Sequence, residues 1–409
     1  MYIQPYLMGK PVDDREPEIA MPSEPSIARI TLVGTISLAV AMGIGRFAFT
    51  PLLPMMQEDG LVGIAGGGWF AAVHFLGYWL GAVFAAKIPL SPRAMLRFSL
   101  FAIGAGTIGM GLTENFAVWL AWRWICGVCS AWTLVLVSNY FVKHLAGSGR
   151  ADLQGWVFSG VGAGILVAGL GSLAFMMSHI GSGLSWQIMG AISLVAVCVV
   201  AINIGPEVPA IRPAGGSHGT ARNPLDWRAV IAYGAMGMGY IIPATYLPVM
   251  AREVVQSPIV FGWSWPVFGA AAMVSPLLAI KLRGRYSDRQ IWVTCQFILA
   301  IGLLLPVIHR NIPMIIAAGA CVGGTFMIIT MAGMKEAHRI APPEDVMRHI
   351  AVMTASFATG QIIGPVFASS VYDLTQSFSV SLVMTSAALV MTAMTLLGSS
   401  AKLATVRGR

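Results

Sequence analysis

Two arginines and a histidine stand inside some of the most apolar stretches of this 409-residue sequence: Arg46 in MGIGRFAFT, His74 in AAVHFLG and Arg123 in LAWRWICG. A guanidinium, with a pKa above about 12, cannot escape burial by losing its charge. It has to meet carbonyl oxygens, water or an anion, and its planar fork of N–H donors matches a carboxylate through two parallel hydrogen bonds. Histidine titrates nearest neutrality of all side chains, so His74 is a candidate proton carrier. Three uncharged polar residues, Tyr240, Thr325 and Gln361, occupy comparable settings later in the chain, and Trp124 and Trp132 are placed to flank the body of a bound solute. All 17 acidic residues fall in tails, loops or the ends of apolar runs, so neither arginine has an obvious carboxylate partner. The chemistry expected is capture of an anion, a small organic acid, by one or both arginines.

Each candidate also has a structural reading. Arg46 follows Gly43 and Gly45, which let another backbone come close, so it serves equally as a clamp between helices. Arg123 can lock helices through carbonyl oxygens, His74 can be a hydrogen-bonded packing residue, and Tyr240 can face lipid or a neighbouring helix. Tryptophans such as Trp69, Trp122, Trp263 and Trp265, and Trp124 and Trp132 with them, suit interfacial anchoring near the ends of spans.

The elements that must hold these residues are membrane helices. The chain is 56% hydrophobic and only 10% charged, where soluble proteins carry about 25% charged residues. That excludes a soluble enzyme, a nucleic-acid binder and a disordered hub. A bilayer core about 30 Å thick needs roughly 20 apolar residues as helix, and twelve such runs are readable. They lie near 29–56, 65–87, 94–113, 115–142, 153–178, 184–204, 229–251, 260–281, 291–309, 313–335, 346–372 and 377–400. Residues 1–28 form a polar, proline-rich tail, 205–228 a linker rich in proline and glycine, and 401–409 a short second tail. The bundles are then 29–204 and 229–400. Counted at about 1.5 Å per residue from the exterior ends of the spans, Arg46, His74 and Arg123 lie roughly 12–17 Å deep, with Tyr240, Thr325 and Gln361 at nearly the same level.

Charge sets the orientation. All but four of the 25 basic residues fall on the side shared by the termini and the linker; Arg252 and Arg310 lie in opposite loops, and Arg46 and Arg123 lie inside spans. The positive-inside rule puts both termini in the cytosol of a bacterial inner-membrane protein. Cys126 and Cys129 make a lone CxxC inside an apolar run and read as buried side chains. No metal, cofactor or nucleic-acid partner is expected.

Shifting the chain by 194 residues reveals a repeat. Met42-Gly43-Ile44-Gly45-Arg46 falls on Met236-Gly237-Met238-Gly239-Tyr240, Leu53-Pro54 on Leu247-Pro248 and Trp69 on Trp263, with six identities in the window 42–56. Six spans separate equivalent helices, so both copies cross the membrane in the same direction. The fold expected is an all-α polytopic membrane protein, twelve transmembrane helices in two parallel-repeat six-helix bundles. Such halves suit rocking about a central solute, that is, alternating access. Pro51, Pro54, Pro243 and Pro248 are expected to break or bend the first and seventh helices where a gate would lie.

With those features the chain resembles the major facilitator superfamily. The strings GIGRFAFTPLLPMMQ (43–57), AYGAMGMGYIIPATYLPVMAR (232–252) and MTASFATGQIIGP (353–365) are similar to its YbfB/YjiJ group. The resemblance implies a transporter in which helices 1, 4, 7 and 10 line a central cavity, bringing Arg46, Arg123, Tyr240 and Thr325 to it. The chain departs from the superfamily in places. Lys87 to Arg93 lack the usual loop aspartate, Gly284, Arg285 and Asp288 echo that loop loosely, and the Gly-Pro pair stands at Gly364-Pro365 instead of in helix 5. The function expected is a secondary or facilitative transporter of a small organic anion, with a coupling proton carried by His74. An exporter of amphipathic or drug-like compounds is the alternative within transport, and a polytopic sensor the alternative outside it. No HExxH or P-loop string supports an enzyme.

Overall fold

A computed structural model of the protein describes residues 26–85, 91–204, 225–282, 285–341 and 345–407. Residues 1–25 of the first tail, nearly all of the linker, Lys87 to Leu90 and Gly284 lie outside the described residues. The chain forms helices α1 (Ile27–Glu58), α2 (Ile64–Phe84), α3 (Pro92–Met110), α4 (Phe116–Gly147), α5 (Gln154–Met177) and α6 (Ser182–Asn203). The second set is α7 (Trp227–Val254), α8 (Pro258–Leu282, with a turn at Gly262), α9 (Asp288–Ile308), α10 (Ile312–Ile340), α11 (Val346–Thr375) and α12 (Ser379–Arg407). Among the described residues all twelve apolar runs are helical. Eleven of the described helices are long and apolar enough to cross a membrane; α3, with Arg93 and Arg97 in its first turns, is the more polar one. The last helix runs on through residues expected to be tail.

Side-chain caps start many of these helices, because the first backbone N–H groups have no partner within the helix. Ser26, Ser91, Asn115, Asp226 and Asn311 each accept from a backbone N–H one turn on, and Ser287 with Gln290 forms a capping box. Long apolar side chains such as Phe101, Val195, Ile202 and Met391 point outward. An aqueous surface would be penalised by them, whereas lipid accepts them.

Packing repeats with the sequence. In the first six helices α2 meets α4, α3 meets α4 and α6, and α1 meets α5 and α6; in the second six the same pairs recur as α8–α10, α9–α10, α9–α12, α7–α11 and α7–α12. One close approach shows the correspondence atom by atom. A Cβ on Gly127 would lie 2.1 Å from the carbonyl oxygen of His74, and a Cβ on Gly323 would lie 2.3 Å from that of Phe268. Phe268 is therefore the counterpart of His74. The two sets of six meet through α5–α8, α2–α11 and α1–α7.

The prolines do not break α1 or α7, the first of the two outcomes expected of them. Pro54 lies inside the helical stretch Phe49–Glu58, and Pro243 and Pro248 lie inside α7. What they do is free carbonyl oxygens one turn earlier, since proline has no N–H to give. The irregular part of α1 comes sooner: Ala39–Ile44 is a π-helical turn that ends two residues before Arg46, a type of widening that recurs at functional positions.

Candidate functional site

Arg46 is buried, and its Nη2 donates to the phenol oxygen of Tyr240 at 2.6 Å. Its Cζ lies 4.5 Å from the ring centre of Phe75 and 5.1 Å from those of Phe47 and Tyr78. Nη1 reaches the Met42 sulfur, at 4.0 Å, and Nε has no partner. Among the described residues no carboxylate lies within ion-pair distance of Arg46. An unneutralised buried charge is costly; here aromatic faces supply only part of the compensation.

Tyr240 is the centre of a second arrangement. Its oxygen also accepts from Gln361 Nε2 of α11, so its own proton is left over and Gln361 Oε1 has no partner. The ring is stacked between Phe326 of α10 and Phe357 of α11, with centroids 5.0 and 5.7 Å away and planes within 6° of parallel. Beyond Phe326 follow Phe268 and Trp265 of α8, at 5.9 and 4.6 Å between centroids. Trp265 is fully buried with an unpartnered Nε1, which corrects its expected role as an interfacial anchor.

Arg123 of α4 is buried beside this cluster and is already occupied. Nη1 and Nη2 donate to the carbonyl oxygens of Gly45 and Arg46, both at 3.2 Å, and Nε to that of Phe70 at 3.4 Å. A helix carbonyl keeps a second lone pair for such a donor. Arg123 thus ties α4 to α1 and α2 and holds the backbone that carries Arg46. His74 places Nδ1 3.1 Å from the Arg123 carbonyl oxygen, while Nε2 has no partner. A carbonyl only accepts, so Nδ1 carries the proton in this contact.

Of the remaining expected residues, Thr325 turns its hydroxyl to Cys321 and Val322 of its own helix, and its neighbour Phe326 meets Tyr240 instead. Trp124 is 41% exposed on the outer face of α4. Trp132 gives its Nε1 to the Gly81 carbonyl oxygen at 3.1 Å and packs near Phe98. Neither tryptophan reaches the cluster, because Arg123 and Gly127 already occupy the inward face of α4. Among the described residues no group of three or more His, Cys, Asp or Glu side chains is placed to hold a metal.

Three of the polar contacts that join the halves along α1 and α7 each link a residue to the one 194 positions later. They are Arg46–Tyr240, Thr50 Oγ1 donating to the Ala244 oxygen at 2.5 Å, and Arg252 Nη2 to Glu58 Oε2 at 3.4 Å. Pro248 explains the second, since it cannot donate to the carbonyl of Ala244. Arg252 also donates to the Pro54 oxygen at 2.6 Å. Glu58 was missed in the sequence, although an acid and a base at equivalent repeat positions were there to be read. At the opposite end Glu336 is buried between Arg289 and Arg339, each at 2.6 Å, an ion cluster outside the central site.

Comparison with known proteins bears on what such an arrangement serves. Residues 38–397 match the family model described as uncharacterised MFS-type transporter YbfB. Among curated proteins, polyol transporter 5 of Arabidopsis thaliana is 30% identical over 124 residues, 30% of this chain and 23% of that protein. The uncharacterized MFS-type transporter YceJ of Bacillus subtilis (strain 168) is 24% identical over 199 residues, 44% of this chain and 46% of that protein. The chain thus aligns with less than half the length of either. The crystal structure of a point mutant of the nucleoside transporter NupG superposes with a TM-score of 0.66 at 14% identity, covering 91% of this chain and 99% of that one, a likeness of fold alone.

Proposed function

The chain belongs to the YbfB-type family of the major facilitator superfamily, transporters and not enzymes, and we propose on that premise that its solute is a small organic anion held by Arg46. It is a multi-pass membrane protein, and a solute must cross it without the carrier opening to both sides at once. The observation that carries the reading is the buried Arg46 guanidinium with no carboxylate partner among the described residues and a free Nε–H. A carboxylate accepts from that N–H and from the leftover proton of the Tyr240 hydroxyl. Each hydrogen bond to a charged group contributes about 1.5–3 kcal/mol. Since the two donors belong to different halves, the bound anion is gripped across the axis about which the halves rock, as alternating access requires.

Arg123 has a positioning role in this scheme: it fixes the Gly45–Arg46 backbone, so the guanidinium is presented and not free to swing. His74, whose free Nε2 lies on the same helix pair, is the proton carrier when transport is coupled to protons. The basic residues put both termini in the cytosol of a bacterial inner membrane. The Glu58–Arg252 end then faces outward, and its contacts close the carrier on that side.

Thr325, Trp124 and Trp132 drop out of the binding set. A neutral polyhydroxylated solute, suggested by the similarity to a polyol transporter, has no use for an unpaired buried cation. An exporter of amphipathic compounds draws on the aromatic residues but leaves Arg46 unexplained. A thermal-shift screen of the purified full chain tests the choice, because a ligand of the folded state raises its apparent stability. Organic acids should raise the melting temperature by several degrees while polyols and nucleosides leave it unchanged. Stabilisation by polyols or nucleosides with none by any acid would overturn the anionic reading.

A further inference from the structure

The two halves line the site unequally. The first half brings Arg46, held under the rings of Phe75 and Tyr78. The second half brings an aromatic column: Trp265, Phe268, Phe326, Tyr240 and Phe357 follow one another with centroids 4.6 to 5.9 Å apart and adjacent planes within 28° of parallel. Counterparts across the repeat sharpen the contrast, since Tyr240 stands for Arg46 and Phe268 for His74. Phe47, next to Arg46, touches Trp265 at 6.0 Å between centroids, so cation and column adjoin. Of the two central guanidiniums only that of Arg46 keeps an unpartnered Nε–H, because all three nitrogens of Arg123 already donate to carbonyl oxygens.

Resting on the anionic reading above, we propose that the solute is a monocarboxylate with a flat apolar body, an aromatic acid. Its carboxylate meets Arg46 and the Tyr240 hydroxyl, and its ring lies among the aromatic side chains of the second half. A second carboxylate would be buried against ring faces, whose negative charge repels it. A body rich in hydroxyls would bury polar groups without partners. Gln361 Oε1, buried beside Tyr240 and without a partner, is an acceptor for a single ring substituent such as a hydroxyl.

Equilibrium binding to the full chain in lipid nanodiscs, with empty nanodiscs as blank, tests this using benzoate, cyclohexanecarboxylate, acetate, succinate and benzamide. Benzoate should bind at least tenfold more tightly than acetate, succinate and benzamide, and more tightly than cyclohexanecarboxylate. Phe326→Leu should weaken benzoate several-fold and leave acetate unchanged, and its melting temperature without ligand reports whether it folds. Should it fail to fold, the comparison of ligands on the unaltered chain decides. Acetate or succinate binding as tightly as benzoate would overturn the aromatic-acid assignment while leaving an anion at Arg46. Benzamide binding as tightly as benzoate would instead overturn the anionic reading itself.

Discussion

Arg46 and Tyr240 occupy the same position in the two halves, 194 residues apart, and they are hydrogen-bonded to each other at 2.6 Å. In a molecule built from two related halves, a residue touches its own counterpart only on the axis that relates them. Thr50 with Ala244 and Glu58 with Arg252 repeat the relationship further along the same two helices. The axis therefore runs along α1 and α7, from Arg46 to the Glu58 end, as parallel repeats require.

Tyr240→Phe keeps the stack with Phe326 and Phe357 and removes only the hydroxyl. Loss of one hydrogen bond to a charged group, about 1.5–3 kcal/mol, corresponds to roughly a 10- to 100-fold weakening. The apparent KM for an acid taken up by proteoliposomes should rise by that factor, and the melting temperature should fall because Arg46 Nη2 and Gln361 Nε2 lose their buried acceptor. An unchanged KM would remove Tyr240 from the site.

Arg123→Lys keeps the charge but cannot satisfy three carbonyl oxygens on two helices at once, because its ammonium is compact and lacks the planar fork. The variant should lose a few kcal/mol of stability, seen as a lower melting temperature. Anion selectivity should stay the same in the fraction that folds. A variant of normal stability with altered selectivity would make Arg123 a ligand and not a support.

The Glu58–Arg252 pair has one partner that is 69% exposed, and exposed ion pairs contribute only about 0.2–1 kcal/mol. Glu58→Gln should therefore change uptake rates less than about fivefold. Arg252→Ala also removes the bond to the Pro54 oxygen and should have the larger effect. Faster hydrogen exchange at residues 50–58 and 244–252 in Arg252→Ala than in Glu58→Gln would confirm that order, and the reverse order would make the ion pair the principal closure.

His74→Phe copies the side chain that the second half carries at Phe268. It should leave ligand binding intact and weaken the dependence of uptake on an imposed pH gradient, because phenylalanine carries no proton. If that dependence is unchanged, the coupling proton travels elsewhere.

Much of the fold was legible in the apolar runs, which marked all twelve helices, and in the 194-residue repeat. The repeat aligned Arg46 with Tyr240 but carried no information that the two touch, because contact depends on where the axis falls. Helical phase held more than was taken from it. Successive residues turn by about 100° around a helix, so with Arg123 inward Trp124 points aside and Trp132, nine residues on, points to the opposite face. Phe326 and Phe357 gave no signal, since an aromatic residue in an apolar helix has the same pattern whether it packs on lipid or on a tyrosine.

The most direct measurement is uptake of a labelled carboxylic acid by proteoliposomes carrying equal amounts of the unaltered chain or of Arg46→Gln, set against uptake of the matching neutral amide. The unaltered chain should carry the acid and not the amide, and Arg46→Gln should lose uptake of the acid while still reaching the bilayer folded. Equal transport of acid and amide by the unaltered chain, or undiminished transport of the acid by Arg46→Gln, would contradict a carrier built around a buried guanidinium.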